Sequence, residues 1–432
     1  MPEKVKIGNY RWTVCALIFF ATTINYIDRQ VIGILKPLLE SDLNIGEREY
    51  SYIVMVFQLF YALGLVLTGR LIDKIGTKIG YAIAVTFWSI AAMGHALAKG
   101  APGFGFWRGL LGISEGANFP AAIKTVAEWF PKKERALATG IFNSGTNVGA
   151  IVAPVAVPAI VVLWSWQAAF IITGALGFIW LIFWIIYYEI PEKQKRVKAG
   201  EIAHINSDVE EQAEPKSDVP WLKLLKYRQT WVFFIGKGLT DPIWWFYLFW
   251  IPGWLAEVRG AGLDLKSFGL PLVFIYSMTT VGSIFGGWIS GYMIRKGMTP
   301  FNARKYSMLI FALLVTPIVF AQAPGISTWG AVILIALAAS SHQAWSANIF
   351  TTVSDAFPKR AVSSVTGIGG MAGALGGLGI SYLAGAVLNH YKNAGHVETG
   401  YMIMFIVAGC AYIIAWAVMH IFAPKNKIVT LE

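Results

Sequence analysis

Long apolar runs recur along this chain, and each is close to or above the roughly 20 residues a helix needs to cross the hydrocarbon core of a bilayer. Twelve such runs fall near 11–38, 49–71, 79–98, 103–128, 137–161, 166–189, 229–257, 267–294, 304–322, 327–354, 362–388 and 399–422. Lipid offers no hydrogen bonds, so a spanning segment must satisfy its own backbone, as a helix or in a closed barrel. Barrel strands would show alternating segments of about 10 residues, and none stand out, so every run is read as a helix. Composition agrees: 56% of residues are apolar and 14% charged, whereas soluble domains carry about 25% charged residues. The run after Arg11 holds Asp28 and Arg29 and lacks a clear small-residue cleavage site. It is read as a retained first span rather than a signal peptide. Cys15 and Cys410 lie far apart in apolar segments, so neither a metal site nor a structural disulfide is expected.

The charges between the runs sort to one side. That side holds Arg70, Lys74 and Lys78, then Lys132, Lys133 and Arg135, then Arg295, Lys296, Arg304 and Lys305, then Lys359 and Arg360, together with both termini and the polar stretch 191–227. Most of the 35 basic residues lie there, and the positive-inside rule makes it the cytoplasmic face of a cell inner (plasma) membrane. The net charge of +11 therefore reflects orientation, not nucleic-acid binding. Residues 191–227 have linker composition and divide the chain into 1–190 and 228–432. The halves resemble each other. A shift of 227 lays Glu128, Phe130, Pro131 and Lys132 on Asp355, Phe357, Pro358 and Lys359, and Thr139-Gly140-Ile141 on Thr366-Gly367-Ile368. A shift of 217 lays Asn9-Tyr10-Arg11 on Lys226-Tyr227-Arg228. The expected fold is an all-α membrane protein, twelve transmembrane helices in two pseudo-symmetric six-helix bundles. Repeats of this kind place a transporter's substrate site between the halves near the midplane. No Walker motif, nucleophile motif or metal cluster points to ATP hydrolysis or an enzyme.

Gly69-Arg70-Leu71-Ile72-Asp73-Lys74-Ile75-Gly76-Thr77-Lys78 resembles the signature loop between spans two and three of the major facilitator superfamily. A degraded copy without the acid runs from Gly287 through Gly297. Within that superfamily the chain resembles the anion:cation symporters, on Asn25-Tyr26-Ile27-Asp28-Arg29, Arg108-Gly109, Glu115-Gly116 and Phe119-Pro120. The bacterial hexuronate transporters are most similar, on Thr240 through Tyr247 and His342 through Asn348. The resemblance implies proton-coupled uptake of a sugar-acid anion such as galacturonate or glucuronate by alternating access. It implies no cofactor other than the proton as coupling ion, and function as a monomer in a lipid bilayer. The alternative is sodium-coupled or uncoupled transport of another organic anion or phosphate.

A charge at bilayer depth costs at least about 2.5–3.5 kcal/mol on insertion scales, so Asp28, Arg29, Arg108 and Glu115 are functional candidates. Asp28 and Glu115 match the acids that the resemblance makes protonation sites, and Arg29 matches the arginine that meets the substrate carboxylate. Arg108 is expected to pair with Glu115 and tune it, although the two arginines can exchange roles. A static salt bridge between spans one and four is the plainer reading. Arginine suits a carboxylate because its planar fork binds bidentately and keeps its proton. Tyr26, Tyr61, Asn143, Asn147, Gln343, Ser346 and Asn348 are candidate hydrogen-bond partners for substrate, and Trp244, Trp245 and Trp345 candidate flat faces. Interhelical packing is an equal reading for each. His342 is read either as a proton relay or as a helix-to-helix hydrogen bond. Lys237 with Asp241, and Lys124 with Glu128, are read as local ion pairs. The glycine run 367–379 marks close helix packing. Gly69, Asp73 and Gly76 are expected to form the gate, with Asp73 accepting hydrogen bonds from neighbouring backbone and arginine groups. The first half thus carries core charge where the second carries aromatic and neutral polar groups.

Overall fold

The computed structural model describes residues 8–43, 45, 47–207, 221–260, 270–422 and 429. The first half comprises α1 (Tyr10–Leu43), α2 (Glu47–Ile75), α3 (Thr77–Gly94), α4 (Ala101–Glu115), α5 (Asn118–Trp129), α6 (Lys132–Leu163) and α7 (Trp166–Tyr187). Two short helices follow, α8 (Ala199–Ile205) and α9 (Trp221–Leu224). The second half comprises α10 (Arg228–Glu257), α11 (Leu270–Arg295), α12 (Pro300–Val315), α13 (Thr328–Ala356), α14 (Val362–Asn393) and α15 (Val397–Phe422), with a 3-10 stretch, Thr316–Gln322, extending α12. Counting α4 and α5 as one broken span gives twelve spans in two bundles. The outward faces, including Val155, Val162, Ile182, Tyr382 and Ile414, are exposed and apolar, as a hydrocarbon solvent requires.

Span four is not the continuous helix 103–128 expected from its apolar run. It breaks at Gly116–Ala117, where it lies against α2 with no side chain between. A Cβ on Gly112 would come within 2.6 Å of the Phe57 carbonyl oxygen, and one on Gly116 within 2.6 Å of the Gly64–Leu65 peptide. Only glycine permits that approach.

Among the described residues, eight helical segments are long and apolar enough to span by composition alone. Those that fall short are α1, α10, α13 and the α4–α5 pair. Apart from the break in span four, the reason is polar side chains at mid-helix depth: Asn25, Asp28 and Arg29; Lys237 and Asp241; His342, Gln343 and Asn348. The helices least suited to lipid are thus the ones with something to surround.

Of the stretch 191–227, residues 208–220 lie outside the described residues. The preceding part docks on the first half. Glu201 of α8 accepts from the Arg11 backbone N–H at 3.0 Å and from its Nη1 at 3.3 Å. Glu134 of α6 receives Arg11 Nε at 2.8 Å and lies 2.9 Å from His204 Nε2.

The halves meet through four glycines related by the internal repeat. Gly140 of α6 lies on the Ser283 carbonyl and Gly287 of α11 on the Ala136 carbonyl. Gly367 of α14 lies on the Leu65 carbonyl and Gly69 of α2 on the Ser363 carbonyl. A shift of 227 turns Gly140 and Ala136 into Gly367 and Ser363, and a shift of 218 turns Leu65 and Gly69 into Ser283 and Gly287. One contact has become the other, as a pseudo-twofold axis demands. The glycine run on α14 is packing surface, as expected, with Gly369 on Phe233 and Gly377 on Trp245.

Candidate functional site: a central cavity between the halves

Between the halves lies a cavity of about 640 Å³, counting its open mouth. Tyr26, Arg29, Tyr61 and Asn143 line it from the first half, and Trp244, Trp245, His342, Gln343 and Ser346 from the second. On α1, Arg29 sits in an aromatic cage, its guanidinium carbon 4.5 Å from the Tyr61 ring centroid, 4.7 Å from Tyr26 and 5.2 Å from Phe57. Such cation–π contacts hold a guanidinium without neutralising it.

The ion pair differs from the expected one. Arg29, not Arg108, binds Glu115. Its Nε and Nη2 both donate to Oε2, at 3.1 and 3.0 Å, and Nη2 reaches Asn25 Oδ1 at 3.4 Å. Arg108 Nη2 donates to the Arg29 carbonyl oxygen at 3.2 Å, and its guanidinium lies 5.3 Å from the Phe57 ring. Arg108 and Glu115 share α4, but Arg29 crosses from α1 and reaches the carboxylate first. The four charged residues do not share the cavity. Asp28, Arg108 and Glu115 are almost fully buried behind the wall that Arg29 presents. Successive helical residues point about 100° apart, so Asp28 turns into the bundle when its neighbour faces the cavity. Among the described residues, neither Asp28 carboxylate oxygen has a hydrogen-bond partner, nor does Glu115 Oε1.

The floor ties the halves together. Asn143 Nδ2 donates to Gln343 Oε1 at 2.7 Å and to Ser283 Oγ at 3.2 Å. His342 stacks on Trp244 with ring centroids 5.1 Å apart, and its Nδ1 lies 2.5 Å from Tyr412 Oη. That hydroxyl also lies 3.2 Å from the Thr240 carbonyl, and the tautomer of His342 sets which of the two receives its proton. The helix-to-helix bond is therefore present, in a residue that also lines the cavity.

Three expected substrate contacts lie outside the lining. Asn348 Nδ2 is bound to the Gly286 and Ala344 carbonyls, at 2.8 and 2.9 Å. Trp345 is fully buried, edge-on to Tyr412. Asn147 is buried one turn beyond Asn143, where Thr146 forms the wall. At about 100° per residue, His342, Gln343, Ser346 and Phe350 share one arc of α13, and positions 345 and 348 fall off it. Lys237, Asp241, Trp244 and Trp245 share one arc of α10, and all four line the cavity. Lys237 and Asp241 do form the expected local pair, at 2.7 Å, but they form it in the wall of the site. The second half therefore also carries charge.

The inter-half hydrogen bonds among the described residues lie at the level of Asn143 or toward the basic end. Asp73 accepts from the backbone N–H of Ser364 at 2.6 Å and of Ser363 at 3.3 Å, at the start of α14. It also accepts from Lys124 Nζ at 2.9 Å. The partner is a lysine and not an arginine, and Lys124 is thereby taken from Glu128, which instead accepts from Thr77 at 2.8 Å and from Tyr188 at 2.5 Å. Gly76 supplies the turn between α2 and α3 at φ 89°. Opposite, Asp355 accepts from Arg304 Nε at 3.2 Å and from Arg135 Nη1 at 3.5 Å. Arg304 also donates to the Lys132 carbonyl at 2.6 Å, and Arg135 to the Ser354 carbonyl.

These bonds close the basic end. Asp73→Asn removes a buried charge and one acceptor from two amides and a lysine, so we expect the closed arrangement to lose population to the one open there. A cysteine at Thr139, buried between the halves, on a background lacking Cys15 and Cys410, reads this out. Its labelling should quicken about tenfold, the effect of about 1.4 kcal/mol. Unchanged labelling would rule out Asp73 as a gate.

Two six-helix bundles around a shared polar cavity, closed at one end, have the architecture of a membrane transporter. The Major Facilitator Superfamily profile matches residues 18–381, and the chain belongs to that family of multi-pass membrane transporters. It is 32% identical over 392 residues to the hexuronate transporter of Escherichia coli (strain K12), covering 88% of each chain. It is 34% identical over 291 residues to the galacturonate transporter of Dickeya chrysanthemi, covering 66% of this chain and 82% of the other. The proton:xylose symporter XylE has the same fold, with a TM-score of 0.71 at 15% identity and 98% of each chain covered.

Proposed function

We propose that the protein is a proton-coupled symporter that takes up a sugar-acid anion of the hexuronate kind, with no other cofactor. Its basic end and both termini face the cytoplasm of a cell inner membrane. In that orientation the conformation described here is the outward-facing one. One chain encloses the whole cavity, so the monomer suffices.

The observation that carries this reading is Arg29, caged by three rings in the cavity wall and held by Glu115 through one edge of its fork. A substrate carboxylate takes Nη1 and displaces Asn25 from Nη2, and so competes with Glu115 for the same cation. Glu115 loses part of its counter-charge when substrate binds, and burying an unpaired carboxylate is prohibitive, so it takes up a proton. That exchange links one anion to one proton without a separate ion site. Asp28, buried in the same bundle, is the second acid of this coupling group. Hydroxyl groups of the sugar meet Asn143, Gln343, Ser346 and Tyr61, and its apolar face meets Trp244 and Trp245. The likeness to hexuronate and galacturonate carriers over most of the chain supports the substrate class.

The test is uptake of labelled galacturonate by purified protein in proteoliposomes. An acidic exterior should drive accumulation without sodium. Accumulation that follows a sodium gradient at equal pH, or no response to either gradient, overturns proton coupling.

A further inference from the structure

We infer that Asp241, held by Lys237, is the residue that reads the hydroxyl end of the substrate and excludes a second carboxylate. The inference rests on the sugar-acid reading and narrows it to polyhydroxy monocarboxylates.

The cavity is bipolar. Its first-half wall presents the Arg29 fork; its second-half wall presents the Lys237–Asp241 pair of α10. The pair is asymmetric toward the cavity. The Asp241 side chain is 20% exposed and that of Lys237 is 5%. Lys237 Nζ lies 4.0 Å from the ring centroid of Phe350, which lines the same cavity, and 2.7 Å from Asp241 Oδ2, so its ammonium is covered by a ring and a carboxylate. The group offered to a ligand is therefore a carboxylate, an acceptor, and not the ammonium. With Oδ2 taken by the lysine, Oδ1 serves a hydroxyl donor.

The position is built. Gly373 of α14 lies against this carboxylate so closely that a Cβ there would collide with Asp241 Oδ2. A glycine at that point makes room for the acid beside α14, and the lysine stops it from turning away. A cation on one wall and a hydrogen-bond acceptor on the other fit a molecule with a carboxylate at one end and hydroxyl groups at the other. A dicarboxylate would place its second anion against Asp241, where like charges repel.

Galactonate and galactarate test this cleanly, because both are open chains that differ by one carboxylate. Binding is followed by tryptophan fluorescence on the full-length protein in nanodiscs, since Trp244 and Trp245 line the cavity. Galactarate should bind wild type at least about tenfold more weakly than galactonate. The neutral double variant Lys237→Met/Asp241→Asn should weaken galactonate about 10- to 100-fold, the effect of losing a charged hydrogen bond, and bring galactarate level with it. Asp241→Glu keeps the charge and the pairing, so it should keep galactarate out; this also guards against a double variant that fails to fold. Galactarate binding wild type as well as galactonate does overturns the inference. So does Arg29-dependent binding of galactonate with a selectivity ratio unchanged in the double variant, and in that case the sugar-acid reading stands. Wild type that binds no sugar acid overturns both.

Discussion

Arg29→Lys should lower the affinity for galacturonate by roughly 30-fold to a few thousand-fold, the cost of about 2–5 kcal/mol for losing a buried charged partner. Lysine keeps the charge, so a purely Coulombic site would barely notice the change. In this structure the guanidinium does what an ammonium cannot. It lies against the rings of Tyr26, Phe57 and Tyr61, donates twice to Glu115 along one edge, and offers a substrate carboxylate Nη1 together with the Nη2 hydrogen that Asn25 holds at 3.4 Å. An ammonium is a point charge with no second edge and a stronger hydration shell. It would stay with Glu115 and leave the incoming carboxylate without a partner. The measurement is competition by galacturonate, glucuronate, galactonate and galactose against labelled galacturonate, with thermal stability as the folding control. Galactose should not compete with wild type, because it cannot pair with Arg29. Equal competition by galactose and galacturonate would sink the sugar-acid reading.

Glu115→Gln should abolish accumulation against a gradient while leaving exchange of labelled for unlabelled substrate. Glutamine still offers an amide oxygen to Arg29, so the local packing survives. What disappears is the exchange of one negative group for another beside the same guanidinium. Without it, binding substrate no longer requires a proton, and the loaded carrier reorients without one. Counterflow in proteoliposomes should therefore persist where uptake driven by a pH gradient stops at equilibration. Wild-type accumulation by this variant would show that coupling resides elsewhere, with Asp28 the next acid to test.

The two variants address a pair that joins residues 86 positions apart, and such a pair is where reading the chain reached its end. Several features were legible from the residues alone. Spanning runs, the polar stretch between the halves and the charges at bilayer depth follow from what lipid tolerates, and lipid acts on each segment separately; the repeat follows from residue matches at a fixed shift. The break in the fourth span had a local sign: Pro120 has no N–H for the Gly116 carbonyl, so the helix cannot run through that point unbroken. How closely the break approaches α2, through Gly112 and Gly116, is a contact between helices.

Within one helix, facing is periodic and could be read. His342, Gln343 and Ser346 share an arc that excludes Trp345 and Asn348, and Lys237 and Asp241 share one with Trp244 and Trp245. The i, i+4 spacing of the lysine and acid invited a purely local explanation, which was true of their bond and silent about their place. Between helices no such rule exists. Whether Glu115 meets Arg108 on its own helix or Arg29 on α1 depends on how far each helix is rotated and how closely it approaches its neighbour. Asp73 likewise finds its backbone partners at Ser363 and Ser364, in the other half. The chain by itself determined that these charges lie within the membrane and therefore need partners. Only the packing of helices decided which partners, because an ion pair forms at a few ångströms and that distance is set by neighbours remote in sequence.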